Sequence, residues 1–172
     1  MKYHLIILIF GISTCLAVAQ PIATVTGTYS GPVGGLYTYS YSITNDTTSP
    51  ENIWEFWVYP TVPFTNVSQI TDPSGWVIWD YFTDWSSFIQ WFSIDPSYDI
   101  TPGISLSGFS YQSAGPPGTI SYDAGGSDPT TGWSTGNYAS GTTVGATPEP
   151  ATFLFLLTGV SGVLVHLRRK RS

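Results

Sequence analysis

LYTYSYSITN, residues Leu36–Asn45, is the stretch on which the reading of this fold turns. Tyr37, Tyr39, Tyr41 and Ile43 take every second position, with Thr38, Ser40, Ser42 and Thr44 between them. Successive side chains of a β-strand point to opposite faces, so this period of two puts the rings on one side and the small hydroxyl residues on the other. One face belongs to a core and one to water. NDTTSP, which begins at Asn45, is turn chemistry, and the following NIWEFWVYP reads as the partner strand.

Outward from that pair the pattern continues. Further strands are expected at residues 63–70, 75–79, 88–94, 104–111 and 119–122. In ISLSGFSY the apolar phase slips by one across Gly108, from Ile104 and Leu106 to Phe109 and Tyr111, which predicts a β-bulge at that glycine. No stretch keeps a helical period beyond two turns. About seven or eight short strands, with turn signals every 8–12 residues, predict an all-β, immunoglobulin-like β-sandwich over residues 20–122. Trp54, Phe56, Val58, Trp76, Ile78, Trp91, Leu106 and Phe109 are the expected core. Residues 123–146 are Gly, Ser and Thr with almost no aliphatic side chains, a composition that predicts a flexible stalk open to O-glycosylation. Asn45-Asp46-Thr47 and Asn66-Val67-Ser68 fit the N-glycosylation pattern.

Charge is distributed very unevenly. Ten of the eleven carboxylates lie between Gln20 and Thr147, where there is no Lys, Arg or His. Nucleic acid is excluded as a partner, because phosphate binding depends on Lys and Arg. The same absence removes the base that a Ser nucleophile requires, and with Cys15 the only cysteine there is no Cys/His metal set. No cofactor or metal is expected, and the chain reads as a non-enzyme. One catalytic alternative stays open: Asp80 and Asp84 in WDYFTDW lie four apart among aromatics, and a glycosidase needs two carboxyl groups flanking a sugar. Six of the seven Trp fall between Trp54 and Trp91, too many for one small core. If Trp54, Phe56 and Val58 point inward, then Ile53, Glu55, Trp57 and Tyr59 point outward. Trp57, Tyr59 and Trp85 are therefore candidate sugar-binding residues, since rings stack on pyranose faces and carboxylates accept hydroxyl protons. The bland reading of the same rings is core, sheet edge or an interface with another chain.

Both ends are hydrophobic. Residues 1–19 combine Lys2, an apolar run from Leu5 to Ile12, and Ala17 and Ala19 before Gln20, which predicts a signal peptide cut after Ala19 by signal peptidase. A lipoprotein reading at Cys15 is the alternative, with Thr14 bulkier than such a cleavage prefers. At the other end, residues 151–167 would reach roughly 25 Å as a helix, the short limit for a bilayer span. Arg168, Arg169, Lys170 and Arg171 follow as a cytoplasmic stop.

Pro148-Glu149-Pro150 stands immediately before that apolar run. The order Pro-Glu-Pro, short apolar helix, basic tail resembles the sorting signal of PEP-CTERM proteins, bacterial secreted proteins processed by exosortases. The resemblance covers residues 147–172, with Thr147 where the family more often has Val. It implies that an exosortase recognises Pro148, Glu149 and Pro150 and removes the tail, in a setting of exopolysaccharide production. The expectation is an exported protein, transiently single-pass in the inner membrane and then at the cell surface or in the extracellular matrix. Its role there would be structural or adhesive, the alternative being a carbohydrate-binding module that contacts polysaccharide.

Overall fold

A computed structural model describes residues 20–78 and 88–148. The expected signal peptide, Glu149 and Pro150 of the expected sorting motif, and residues 151–172 therefore lie outside the described residues, as do Trp79, Asp80, Asp84 and Trp85. Two antiparallel sheets face each other. One has four strands, in the order β1 (Ala23–Val33), β2 (Leu36–Asn45), β7 (Ser105–Ser113) and β4 (Val67–Thr71). The other has five: β5 (Trp76–Ile78), β6 (Ile89–Ser93), β3 (Asn52–Tyr59), β8 (Pro117–Ser127) and β9 (Ser134–Ala146). The chain is an all-β sandwich. Two single 3-10 turns, Phe64–Asn66 and Pro96–Tyr98, are the helical elements among the described residues, and no helix there is long and apolar enough to cross a membrane.

The core lies between the sheets and is built from rings. Phe56 stacks on Trp91 at 5.4 Å, and Phe109 meets Phe56, Trp76 and Trp91 edge-on at 5.1–5.6 Å between centroids. Tyr41 joins through Phe56 and Tyr111, and Tyr39 stacks on Tyr111 at 5.0 Å. Offset and edge-to-face contacts of this kind add about 0.5–1.5 kcal/mol each beyond the area they bury. Each buried ring with a polar tip needs a partner for it. The Tyr39 hydroxyl donates to Gly115 O at 2.6 Å and Tyr41 to Val144 O at 3.0 Å. Trp76 Nε1 donates to Tyr98 O and Trp91 Nε1 to Thr71 O. The rings thus fill the interior and pin the loops and edge strands that close it.

The alternation in β2 is realised: Tyr39, Tyr41 and Ile43 are buried and Ser40 and Thr44 are exposed. The bulge is also where the phase slip puts it. Tyr41 pairs with Phe109 while Ser42 pairs with Ser107, leaving Gly108 as the extra residue at φ 110°.

Three expectations need correction. Residues 123–146 are not a stalk: they complete β8 and form β9, paired from Pro117↔Ala146 to Ser127↔Ser134. The small residues are what such an edge needs, because Tyr122 lies over Gly141 and Ile120 over Gly145, where a Cβ would collide with the ring or methyls. The domain therefore extends through Ala146 and does not stop at residue 122. In β3, Ile53 is fully buried and Trp54 only half-buried, the reverse of strict alternation, because the β3–β8 register shifts between Ile53 and Glu55. Leu106 and Ile78 pack against the core only in part. Finally, Asn45 is no glycan acceptor: it is fully buried, and its Nδ2 donates to Glu51 O and Ile100 O, both at 2.8 Å.

Phe56 touches rings from both sheets, so Phe56→Ala should lower stability by about 3–5 kcal/mol in urea unfolding at neutral pH. A loss under about 1 kcal/mol would show that the ring cluster does not hold the sheets together.

Candidate functional site

Polar chemistry gathers on the outer face of the five-stranded sheet. Glu55, on β3, is only 3% exposed although it points away from the core. Trp57 Nε1 donates to its Oε2 at 3.0 Å, and Gln90 Nε2, from β6, donates to the same oxygen at 2.8 Å. One strand over, Asp123 accepts from the Tyr59 hydroxyl at 2.6 Å and from Ser140 Oγ at 2.5 Å. Phe88 stacks on Trp57 at 4.9 Å and meets Tyr59 edge-on at 6.2 Å, while Tyr138 approaches Trp57 edge-on from β9. Burial, followed by the hydrogen bond to Glu55 and its charge, pushes the Tyr138 hydroxyl up to about 12. Tyr59 is raised by burial and then by Asp123. Both phenols stay neutral and act as donors.

The backbone makes room for these carboxylates. A Cβ on Gly125 would strike the Glu55 side chain, and one on Gly126 would strike the Glu51 carboxylate. Glu51, 4% exposed, lies over that glycine and accepts from Asn137 Nδ2 at 2.7 Å and Thr135 Oγ1 at 3.0 Å. A third buried carboxylate, Asp99, accepts from Ser93 Oγ and Ser127 Oγ, both at 2.5 Å. A buried charge is costly unless it is hydrogen-bonded, and here every donor is neutral. No group of three or more His, Cys, Asp or Glu among the described residues is placed to hold a metal ion.

Trp57 and Tyr59 do share the outer face, as their alternation with Phe56 and Val58 predicts. Trp85 lies outside the described residues, so the proposed trio is placed only in part. The partners Gln90, Asp123, Tyr138 and Ser140 could not be found from local sequence, because they come from three other strands. The one local signal was Glu55 between two tryptophans. Both polar tips, Trp57 Nε1 and the Tyr59 hydroxyl, are committed to carboxylates within the domain, and Phe88 covers one face of the Trp57 ring. What the arrangement does is buttress the sheet. The Asp80 and Asp84 pair lies outside the described residues.

No family model matches the chain, and no curated protein does. Among solved structures, the sandwich is similar to a crystal structure of an uncharacterized protein from Nocardia farcinica that reveals an immunoglobulin-like fold. The two share 16% identity with a TM-score of 0.50, over 72% of this chain and 97% of that one. The likeness is one of fold alone.

Burial raises Asp99 above the ordinary carboxylate range, and the two serine hydroxyls offset only part of that. Between the unfolded value, about 3.9, and the raised folded one, the native state binds more protons than the unfolded state. Ionised Asp99 therefore costs stability, and the cost grows as pH rises through that window. Asp99→Asn should flatten this fall relative to the parent and give a higher urea midpoint at pH 7. An unchanged difference between pH 4 and pH 7 would contradict the assignment.

Proposed function

We propose that this chain is an exported, non-enzymatic surface or matrix protein, delivered by exosortase sorting at Pro148-Glu149-Pro150. The observation that carries the reading is the order of the C-terminal segment. Pro-Glu-Pro, a 17-residue apolar run and a four-residue basic cluster follow one another with nothing between them. Residues 1–19 supply the export signal in this reading, and signal peptidase, the inner membrane and the exosortase are the successive partners. The domain between is consistent with a structural or adhesive part. Its buried carboxylates are consumed by internal hydrogen bonds instead of facing an open cleft, and it holds no Lys, Arg or His to serve as base or cation.

Polysaccharide binding is a second reading, favoured by the half-buried Trp57 and Tyr59 lying 6.3 Å apart on one face beside Glu55 and Asp123. Phe88 weighs against it by occupying a Trp57 face that a sugar would need. In a titration with soluble exopolysaccharide, that reading predicts a saturable change in Trp fluorescence that Trp57→Ala removes; a flat response across a glycan panel refutes it.

For the sorting reading, intact mass of the protein from cells and medium should show loss of residues 1–19 and of everything beyond the Pro148–Pro150 region. A chain recovered in the membrane fraction and intact through Ser172 would instead mark a plain single-pass anchor, with Pro-Glu-Pro a rigid hinge.

A further inference from the structure

We propose that the end of the sandwich from which β9 leaves is a bilayer-facing surface, held against the lipid headgroups while residues 151–167 occupy the membrane. This rests on the reading of that run as a membrane segment. The first observation is the length of the connection. β9 ends at Ala146, and Thr147 is tied to the domain, with its N donating to Pro116 O at 2.9 Å and its Oγ1 to the same oxygen at 3.1 Å. Only Pro148, Glu149 and Pro150 then separate the fold from the apolar run. Three extended residues span about 10 Å. The headgroup layer on each side of a bilayer is roughly 5–8 Å thick, from a total of 40–45 Å around a 30 Å core. A connection that exceeds the headgroup layer by only about 2–5 Å keeps the domain against the headgroups.

The second observation is what the domain presents there. Strand pairing fixes which loops share this end: Val33 pairs with Leu36 at the β1–β2 turn, Tyr37 and Val67 both pair with Ser113, Pro117 pairs with Ala146, and Thr61 N donates to Ala146 O. The loops 33–37, 60–66, 113–117 and 147–148 at this end contain no charged side chain, while the 79–88 connection, which follows Ile78 and returns at Ile89 opposite Val58, carries Asp80 and Asp84 in its sequence. Val33 is 81% exposed there, and Pro63, Ala114 and Pro148 are exposed at the same end. By contrast Asp46, Glu51, Asp95, Asp99 and Asp128 all belong to the opposite end, with the 45–52, 93–104 and 127–134 connections.

The magnitudes favour this orientation. Strands of about ten residues separate the two ends by roughly 33 Å. Repulsion between carboxylates and an anionic bilayer is screened over about 8 Å at physiological salt. With the β9-exit end down, those five carboxylates stand several screening lengths from the lipid. The opposite end also exposes large apolar side chains, Ile94, Tyr98, Ile104 and Trp133, but interleaves them with Asp95 and Asp128. That end faces outward, toward whatever the protein meets.

The test uses the full chain in a Cys15→Ser background, inserted into phosphatidylcholine–phosphatidylglycerol vesicles containing a nitroxide-headgroup lipid. A fluorophore is attached at Val33→Cys, at Ala114→Cys, or at Thr101→Cys on the far end, and unchanged Trp emission confirms that each variant is folded. Quenching several-fold stronger at 33 and 114 than at 101 is expected. A 20-residue Gly/Ser insertion between Thr147 and Pro148 should bring all three to the same low level. Equal quenching at the three positions of the uninserted chain, in protein that floats with the vesicles, overturns the proposal and leaves the membrane segment standing. Protein that does not float, or floats equally without residues 151–172, overturns the membrane reading and the proposal together.

Discussion

Glu55 sits almost fully buried on the outside of a sheet, in a domain with no lysine, arginine or histidine to neutralise it. Much of the architecture on that side answers to this constraint. A carboxylate that cannot form an ion pair must collect neutral donors, and it must have space to lie flat against the backbone while it does so. Gln90 and Trp57 provide the donors and Gly125 the space; Asn137, Thr135 and Gly126 repeat the solution for Glu51. These contacts tie β3 to its neighbour β6 and, across β8, to β9, with which it shares no ladder, so the acidic composition becomes a cross-strand brace on one face of the sandwich.

The inner face follows a different rule. There the large rings of Tyr39, Tyr41, Trp76 and Trp91 need both apolar surroundings and a hydrogen bond at the tip. Their tips reach main-chain oxygens of Gly115, Val144, Tyr98 and Thr71, in loops, at a strand end and on an edge strand. With no disulfide available to the domain, these ring-to-backbone bonds stand where a covalent staple would otherwise link the two sheets.

How much of this was legible in the sequence depended on whether the signal was local. The alternation from Tyr37 to Ile43 and the phase slip at Gly108 are local, and both are realised as a strand and a bulge. β9 was not legible, because its Gly, Ser and Thr bury little apolar surface of their own. They are ordered by the β8 strand they pair with and by side chains of Tyr122 and Ile120 that need small neighbours. The half-turned Trp54 was missed for the same reason, since a register shift belongs to two strands and is written in neither alone. In the candidate site, the outward direction of Trp57 and Tyr59 could be read from β3. That their polar atoms are already taken could not, because the Gly/Ser/Thr composition from residue 123 onward conceals that Asp123 belongs to the sheet.

The connectivity also fixes how the domain bears load. β1 enters at the end that carries Asn45 and Asp46, and β9 leaves at the opposite end, beside the β1–β2 turn and the 113–117 loop. A pull applied through the two chain ends therefore runs along these strands and not across them. β1 is drawn lengthwise against β2, and β9 lengthwise against β8, so all the hydrogen bonds of each ladder are strained at once and neither pair can be unzipped bond by bond. With β1 and β9 at adjacent edges of their sheets, and Gly27 close against Thr143 and Val144, the two loaded strands lie side by side. A sandwich threaded this way transmits tension between what holds its C-terminal side and what grips its far end.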